Sequence, residues 1–597
     1  MRLEPNQFWS YSEWFIDRGG LLNGFLLAIV LATVGFCLSY VVAMLRYGPG
    51  EGFYVVSKNI RDLFRRDLPN TTPRRIGAIA KLAFKEAVRR RVLAVVAIFV
   101  VGLMFAGWYL DPRTDHPSRL YISFVLTATN YLVLLLGLYL SAFSLPADIK
   151  NKTIHTITTK PVRATEIVLG RVLGFVGIGT AILAVLGVLS YIFVVRGLSH
   201  THVAETVPAA GQPGTTSLMA DHRHTFTIAE DGRGVTDVQK GHYHAVRTVQ
   251  DGDRTVYEVG SPQGDLLARV PVYGTLDFAD RDGNRDATGL NVGYISEYQK
   301  YIAGNSLMSA IWTFDGVTSD RFGDSIRLEM TLSAFRTYKG DIVTPVRGIL
   351  ILRSPDGRVE SERQRFLVKE FALDERTIPR KLSGFVDGVP QEIDLFNDLA
   401  PNGQLEVVIR CDDAGQYLGM AQADLSLRAG DRSFTYNFFK GYVSIWLQMV
   451  IVICFGVMFS TFLSGPVAMI ATLAVLVLGF FGGIVSMYFE RNTGSGGGPI
   501  ESFIRIVTQR GVMIDLDTGN ATLEQIISYI DFGLMYAVRL LTGAVPDFGV
   551  LGTADFIAYG VDLFDGLLLR HLTIALGYFL ATMTVAYFFM KTREIAA

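Results

Sequence analysis

Four of the nine histidines in this 597-residue chain lie between positions 222 and 244, as two His-x-His pairs, His222/His224 and His242/His244. Alternate residues of a β-strand share one face, so each pair presents two imidazoles on the same side of a ribbon. With Asp231-Gly232-Arg233-Gly234 as the turn, pairing about residue 233 sets His222 opposite His244 and His224 opposite His242. Four imidazoles on one face of a two-stranded ribbon form a ligand set for zinc, copper or iron. The alternative is a polar hairpin face of solvated or stacked rings.

No other pattern in the chain supports chemistry. Residues 280–289, DRDGNRDATG, are similar to a calcium loop but place Gly283 fourth and Asn291 twelfth. An EF-hand needs glycine at six and glutamate at twelve, so an acidic turn is expected instead. Cys37, Cys411 and Cys454 are too dispersed for a disulfide framework or a cysteine zinc motif. No Ser-His-Asp, paired-carboxylate or Cys-His pattern stands out as catalytic. The sequence has no Gly-Lys dipeptide, so the GxxxxGK[ST] loop that cradles nucleotide phosphates is absent. The chain is therefore expected not to be an enzyme, and any ATP must be handled by a partner. The glycine-rich stretch 494–498 reads as a linker.

The elements that must position these groups follow from hydropathy. Half of the residues are hydrophobic, 19% are charged, and mean hydropathy is +0.32. Soluble chains carry about 25% charge. Seven apolar runs are long enough for membrane helices: 21–45, 92–110, 120–145, 167–195, 442–463, 466–488 and 571–590. Their one formally charged residue, Arg171, sits near a helix end and is expected to snorkel. The absence of Asp and Glu from these runs argues against a proton- or sodium-coupled carrier. A net charge of -1 argues against a nucleic-acid partner.

Residues 46–91 hold twelve basic and four acidic side chains, which places them in the cytoplasm. Alternation then sets the N-terminus (1–45, with the first span) outside, the loop 146–166 inside, 196–441 outside, 489–570 outside and the tail after 590 inside. The protein is expected in the inner cell membrane. Residues 76–91 read as a basic amphipathic helix on the membrane surface, leading into the first three core spans (92–195). The 196–441 block alternates strand-like runs with turns such as Pro355-Asp356-Gly357 and is expected to be a β-sandwich, with a smaller β subdomain at 200–275. Two spans follow (442–488). In 489–570, the stretches 526–541 and 556–569 are apolar but interrupted by Asp531, Arg539, Asp562 and Asp565, which suggests interfacial or re-entrant helices before the last span (571–597).

The inside loop reads ADIKNKTIHTITTKPVRATEIVLGR from Ala147 to Arg171. In this order (amphipathic helix, two spans, this loop, a third span) the chain resembles ATP-binding-cassette exporter permeases of the second class, such as those of multicopper-enzyme maturation systems. The loop matches that family's pattern at Thr153, Ile154, Lys160, Pro161, Val162, Glu166, Ile167, Val168, Gly170 and Arg171; Arg163 comes one place early. The resemblance covers the six core spans, not the first span or the 196–441 block. It implies a coupling segment formed by Asp148, Lys150, Lys152, Thr153, Ile154, Lys160, Pro161, Arg163 and Glu166, docking on a cytoplasmic ATPase. It also implies a second permease subunit, identical or paralogous. The same features also fit a membrane-anchored extracytoplasmic binding or assembly factor without transport.

Overall fold

The computed structural model describes residues 9–89, 92–106, 110, 114–150, 162–206, 213–251, 254–292, 299–336, 345–368, 373–490, 498–509 and 520–592. The longer helices are α1 (Gly20–Tyr47), α2 (Pro49–Asp62), α3 (Pro73–Arg89), α4 (Ala94–Met104), α5 (Pro117–Lys150), α6 (Ala164–Leu198), α7 (Phe434–Ser460), α8 (Gly465–Glu490), α9 (Pro499–Thr508), α10 (Ala521–Ala544) and α11 (Asp565–Thr592). Among the described residues, seven of them are long and apolar enough to cross a membrane: α1, α5, α6, α7, α8, α10 and α11. The chain is a membrane protein.

Six of these are expected spans; the seventh is not. The 92–110 run is described as a helix only over α4, and part of it lies outside the described residues. The unexpected candidate is α10. From sequence, Asp531 counts against a span. In the fold its carboxylate is buried and accepts the backbone N–H groups of Ile500 (2.8 Å) and Glu501 (2.9 Å) at the start of α9. A helix N-terminus stabilises such an anion.

The α3 helix is amphipathic as expected, burying Ile79, Ala83 and Ala87. The seat for this face is a pair of glycines one turn apart on α6. A Cβ at Gly170 would lie 2.6 Å from Ile79, and one at Gly174 would lie 2.6 Å from both the Ala80 carbonyl and Ala83. Small residues four apart let two helix backbones approach closely. The α5 helix does not break at Pro146 but continues to Lys150. Membrane helices tolerate a proline where neighbours re-satisfy the freed carbonyl.

The β-rich part divides between two compact units. One comprises residues 266–437 with 559–564. It contains a nine-stranded, a four-stranded and a three-stranded sheet, and every strand pairing is antiparallel. Their inward faces share one core that includes Trp312, Phe314, Leu328, Leu350, Val407, Ile409 and Leu427. Residues 556–569, expected as one helix, are interrupted. The short helix Ala554–Ala558 stops, Gly560 takes a positive φ, and Val561 bridges Arg269. Asp562 is buried against Arg432 at 3.0 Å.

The six remaining strands belong with the helices in the other unit. They are β1 (Ala204–Thr206), β2 (Gly214–Thr216), β3 (Thr225–Ile228), β4 (Arg233–Thr236), β5 (Tyr243–Asp251) and β6 (Arg254–Gln263). They form an antiparallel sheet in chain order, hence three successive hairpins, β1–β2, β3–β4 and β5–β6.

Candidate metal centre

The hairpins carry a 20-residue repeat. Gly214-x-Thr216 precedes His222-x-His224, and Gly234-x-Thr236 precedes His242-x-His244. In each copy the chain reverses through two residues of positive φ, Ala220-Asp221 and Lys240-Gly241. These reversals close bridges between Met219 and His222 and between Gln239 and His242. Positive φ at both central residues is the signature of the tight hairpin turn, and for a non-glycine residue it costs about 1–2 kcal/mol. The threonine hydroxyl then accepts the backbone N–H of the second histidine, from His224 to Thr216 and from His244 to Thr236, each at 2.9 Å.

A third His-x-His pair, His200/His202, stands between the end of α6 and β1. Each hairpin thus begins with one pair. The second histidine of each pair places its Nδ1 against a carbonyl from the far strand of its own hairpin: His202 on Ser217 (2.7 Å), His224 on Asp237 (2.9 Å) and His244 on Gly260 (2.8 Å). Among the first histidines, His200 Nδ1 meets the Leu198 carbonyl at 2.9 Å and His222 Nδ1 meets that of Ala220 at 3.1 Å. His242 Nδ1 lies 3.4 Å from the Asp265 carboxylate. Ser118, in the first turn of α5, hydrogen-bonds Asp265.

A carbonyl accepts only from an N–H, so the five carbonyl contacts fix the proton on Nδ1 of His200, His202, His222, His224 and His244 and leave their Nε2 lone pairs free. The Nε2 atoms converge. Separations are 3.0 Å for His200–His242, 3.1 Å for His222–His242, 3.3 Å for His224–His242 and 3.4 Å for His202–His222. His244 Nε2 is buried with no hydrogen-bond partner. Five of the rings are buried; His200 is half-buried.

The six rings stand at the corners of an octahedron. Twelve of the fifteen ring pairs have centroids 4.7–5.3 Å apart and planes at 71–89°. An octahedron has twelve edges, and each ring here has four neighbours. The three remaining pairs, His200/His224, His202/His242 and His222/His244, are the opposite corners. One triangular face holds the first histidine of each hairpin and the other holds the second. As octahedral edges, these four separations of 3.0–3.4 Å correspond to a nitrogen-to-centre distance of about 2.1–2.4 Å (edge divided by √2), close to the roughly 2.0–2.1 Å of a zinc–imidazole bond. Burial, and then the neighbouring imidazoles, push the His222 and His244 pKa values down to about 4 and that of His242 to about 3. The cluster is built to stay neutral with lone pairs facing inward, an arrangement that a cation relieves. These residues could hold a metal ion.

The structure therefore keeps His222, His224, His242 and His244 together but not in the expected ribbon. The β3–β4 hairpin turns at Asp231-Gly232, pairing Phe226 with Thr236 and Ile228 with Gly234, and β4 then pairs with β5. The Lys240-Gly241 reversal, unrecognised in the sequence, is the reason. His222 and His244 face each other across the centre rather than across a ladder. His200 and His202 were missed, although the same His-x-His spacing, with its second histidine 20 residues before His222, was there to be seen.

The expected coupling residues lie at the other end of α5 and α6. Asp148 is buried and bonds Arg171, whose second nitrogen reaches Glu86 of α3 at 2.6 Å. Arg171 is thus enclosed rather than extended to an interface. Glu166 is fully buried: it accepts the backbone N–H (2.9 Å) and hydroxyl (3.0 Å) of Thr72 and the backbone N–H of Arg163 (3.0 Å). The Arg163 guanidinium bonds the carbonyls of Arg66 and Asp67. Lys150 is exposed. Lys152, Thr153, Ile154, Lys160 and Pro161 lie outside the described residues. No family model matches the chain, and no curated protein matches it.

Proposed function

We propose that this chain is a membrane subunit that holds one first-row transition-metal ion in its 198–265 module, on the extracytoplasmic side. The observation that carries this reading is the octahedral gathering of six histidine rings, five of them buried, with Nε2 atoms of His200, His202, His222, His224 and His242 brought to 3.0–3.4 Å of one another in four pairs. The test is elemental analysis of the full chain, purified in detergent without added chelator. One equivalent of a first-row transition metal is expected, falling away in His224→Ala/His244→Ala. A metal content no higher than in that variant defeats the reading.

A second reading joins the first and rests on the resemblance to exporter permeases: ATP hydrolysed by a separate cytoplasmic ATPase drives this subunit, paired with a second permease in the lipid membrane. The favouring observation is the ion cluster Glu86–Arg171–Asp148. It ties the amphipathic helix α3 to both helices that flank residues 151–161, so that a push on that segment moves α3, α5 and α6 together. Affinity purification from native membranes is expected to bring down an ATPase, and Lys160→Glu with Pro161→Ala to release it. If no ATPase is recovered in any nucleotide state, the permease role falls and a membrane-anchored metal-binding factor stands alone.

A further inference from the structure

Resting on the reading that the six imidazoles bind a metal, we infer that the centre is coordinatively saturated and selects a divalent ion that takes six nitrogen donors, in the series manganese, iron, cobalt and nickel, over zinc and copper. The argument is geometric. Four imidazoles would satisfy zinc, which is almost always tetrahedral in structural sites, and four in a plane would suit copper(II). The fold supplies six, in three hairpins that repeat one local construction. The three edges internal to the pairs, His200/His202, His222/His224 and His242/His244, have centroids 5.1, 5.0 and 5.2 Å apart. They match the edges between pairs, which run from 4.7 to 5.3 Å, so the six rings form one evenly spaced set.

Two consequences follow from the donor set. All inner ligands are neutral imidazoles, which suit zinc, copper, iron and nickel alike, and no thiolate is present to favour a softer ion, so the number and arrangement of donors discriminate. Every octahedral corner is filled by protein, whereas catalytic metal sites keep a position open for water or substrate. The ion therefore acts by holding the module together or by being held; it does not activate water.

The test uses the full chain in detergent, stripped by chelation and reloaded with cobalt(II) chloride. Six-coordinate cobalt gives weak visible bands, and X-ray absorption should count six light neighbours at one distance. His200→Ala and His202→Ala should each weaken cobalt binding by more than about tenfold, as should His222→Ala. Intense four-coordinate bands from the unmodified protein, or zinc outcompeting both cobalt and nickel at equal concentration, overturn the inference while leaving the metal-binding reading in place. If none of manganese, iron, cobalt, nickel, copper or zinc binds, the underlying reading fails as well. The spectrum of the unmodified chain decides the matter even if a variant does not fold.

Discussion

Thr216 and Thr236 perform one task 20 residues apart. Each hydroxyl accepts the N–H of a clustered histidine and so fixes the backbone from which that ring projects. Thr236→Ala leaves the buried His244 N–H without an acceptor, a loss of about 1–3 kcal/mol. It should lower the melting temperature of the metal-free protein and weaken metal binding, whereas Thr236→Ser should restore both; thermal melts with and without cobalt check this. Asp265 works one shell further out, 3.4 Å from His242 Nδ1. Asp265→Asn removes a buried carboxyl group, its pKa raised by burial to about 7, from behind a ring whose metal would be doubly positive. A drop of about 10–100-fold in affinity, measured by competition with a chelator, is expected. The histidine pairs at 222 and 242 were legible because the His-x-His spacing is a strand-face signature. The turns were not, because Ala220, Asp221 and Lys240 adopt positive φ without the Asn-Gly or Asp-Gly pattern that announces it.

At the scale of elements, charged groups within apolar helices proved to be fasteners. Arg171 lies between Asp148 and Glu86. Arg171→Ala strands a buried carboxylate and should destabilise the helical unit by about 3–5 kcal/mol, while Arg171→Met with Asp148→Asn should recover most of that. Unfolding of both variants in detergent provides the comparison. Asp531 fastens α9 to α10 in the same manner. Asp531→Ala removes an N-terminal cap, at about 1 kcal/mol, and should open the 498–509 segment to protease while leaving the metal content unchanged. Hydropathy showed where most spans lie, because it records length and apolarity. It did not single out α10 as a candidate span because it counts a carboxylate as exposed, and the partners of Asp531 lie about 30 residues away in the chain. The close seat of α3 on α6 was likewise unseen, since Gly170 and Gly174 read as ordinary span residues until their neighbours are known.

On the scale of the whole molecule, the β-rich stretch, read from sequence as a sandwich with a smaller subdomain at 200–275, belongs to two units with different sources of stability. The 266–437 unit has a large apolar core around Trp312. The three-hairpin module buries few large side chains, chiefly Phe226 and Val246, and places six imidazoles where a core would be. Chelation should therefore raise deuterium uptake in peptides from 198–265 and leave those from 300–420 unchanged by hydrogen-exchange mass spectrometry; equal uptake in both would argue that the module does not depend on metal. Its first two histidines also occupy a particular place in the chain. His200 and His202 follow Leu198, the last residue of α6, and His200 Nδ1 bonds that residue's carbonyl. The same span begins at Ala164, beside the segment expected to meet an ATPase. Linkage makes such an arrangement reciprocal. If a displacement of α6 withdraws two of six donors and weakens the ion's binding by some factor, the bound ion opposes that displacement by the same factor. Metal availability on one side of the membrane and the resting position of a helix reaching the other would then be a single equilibrium.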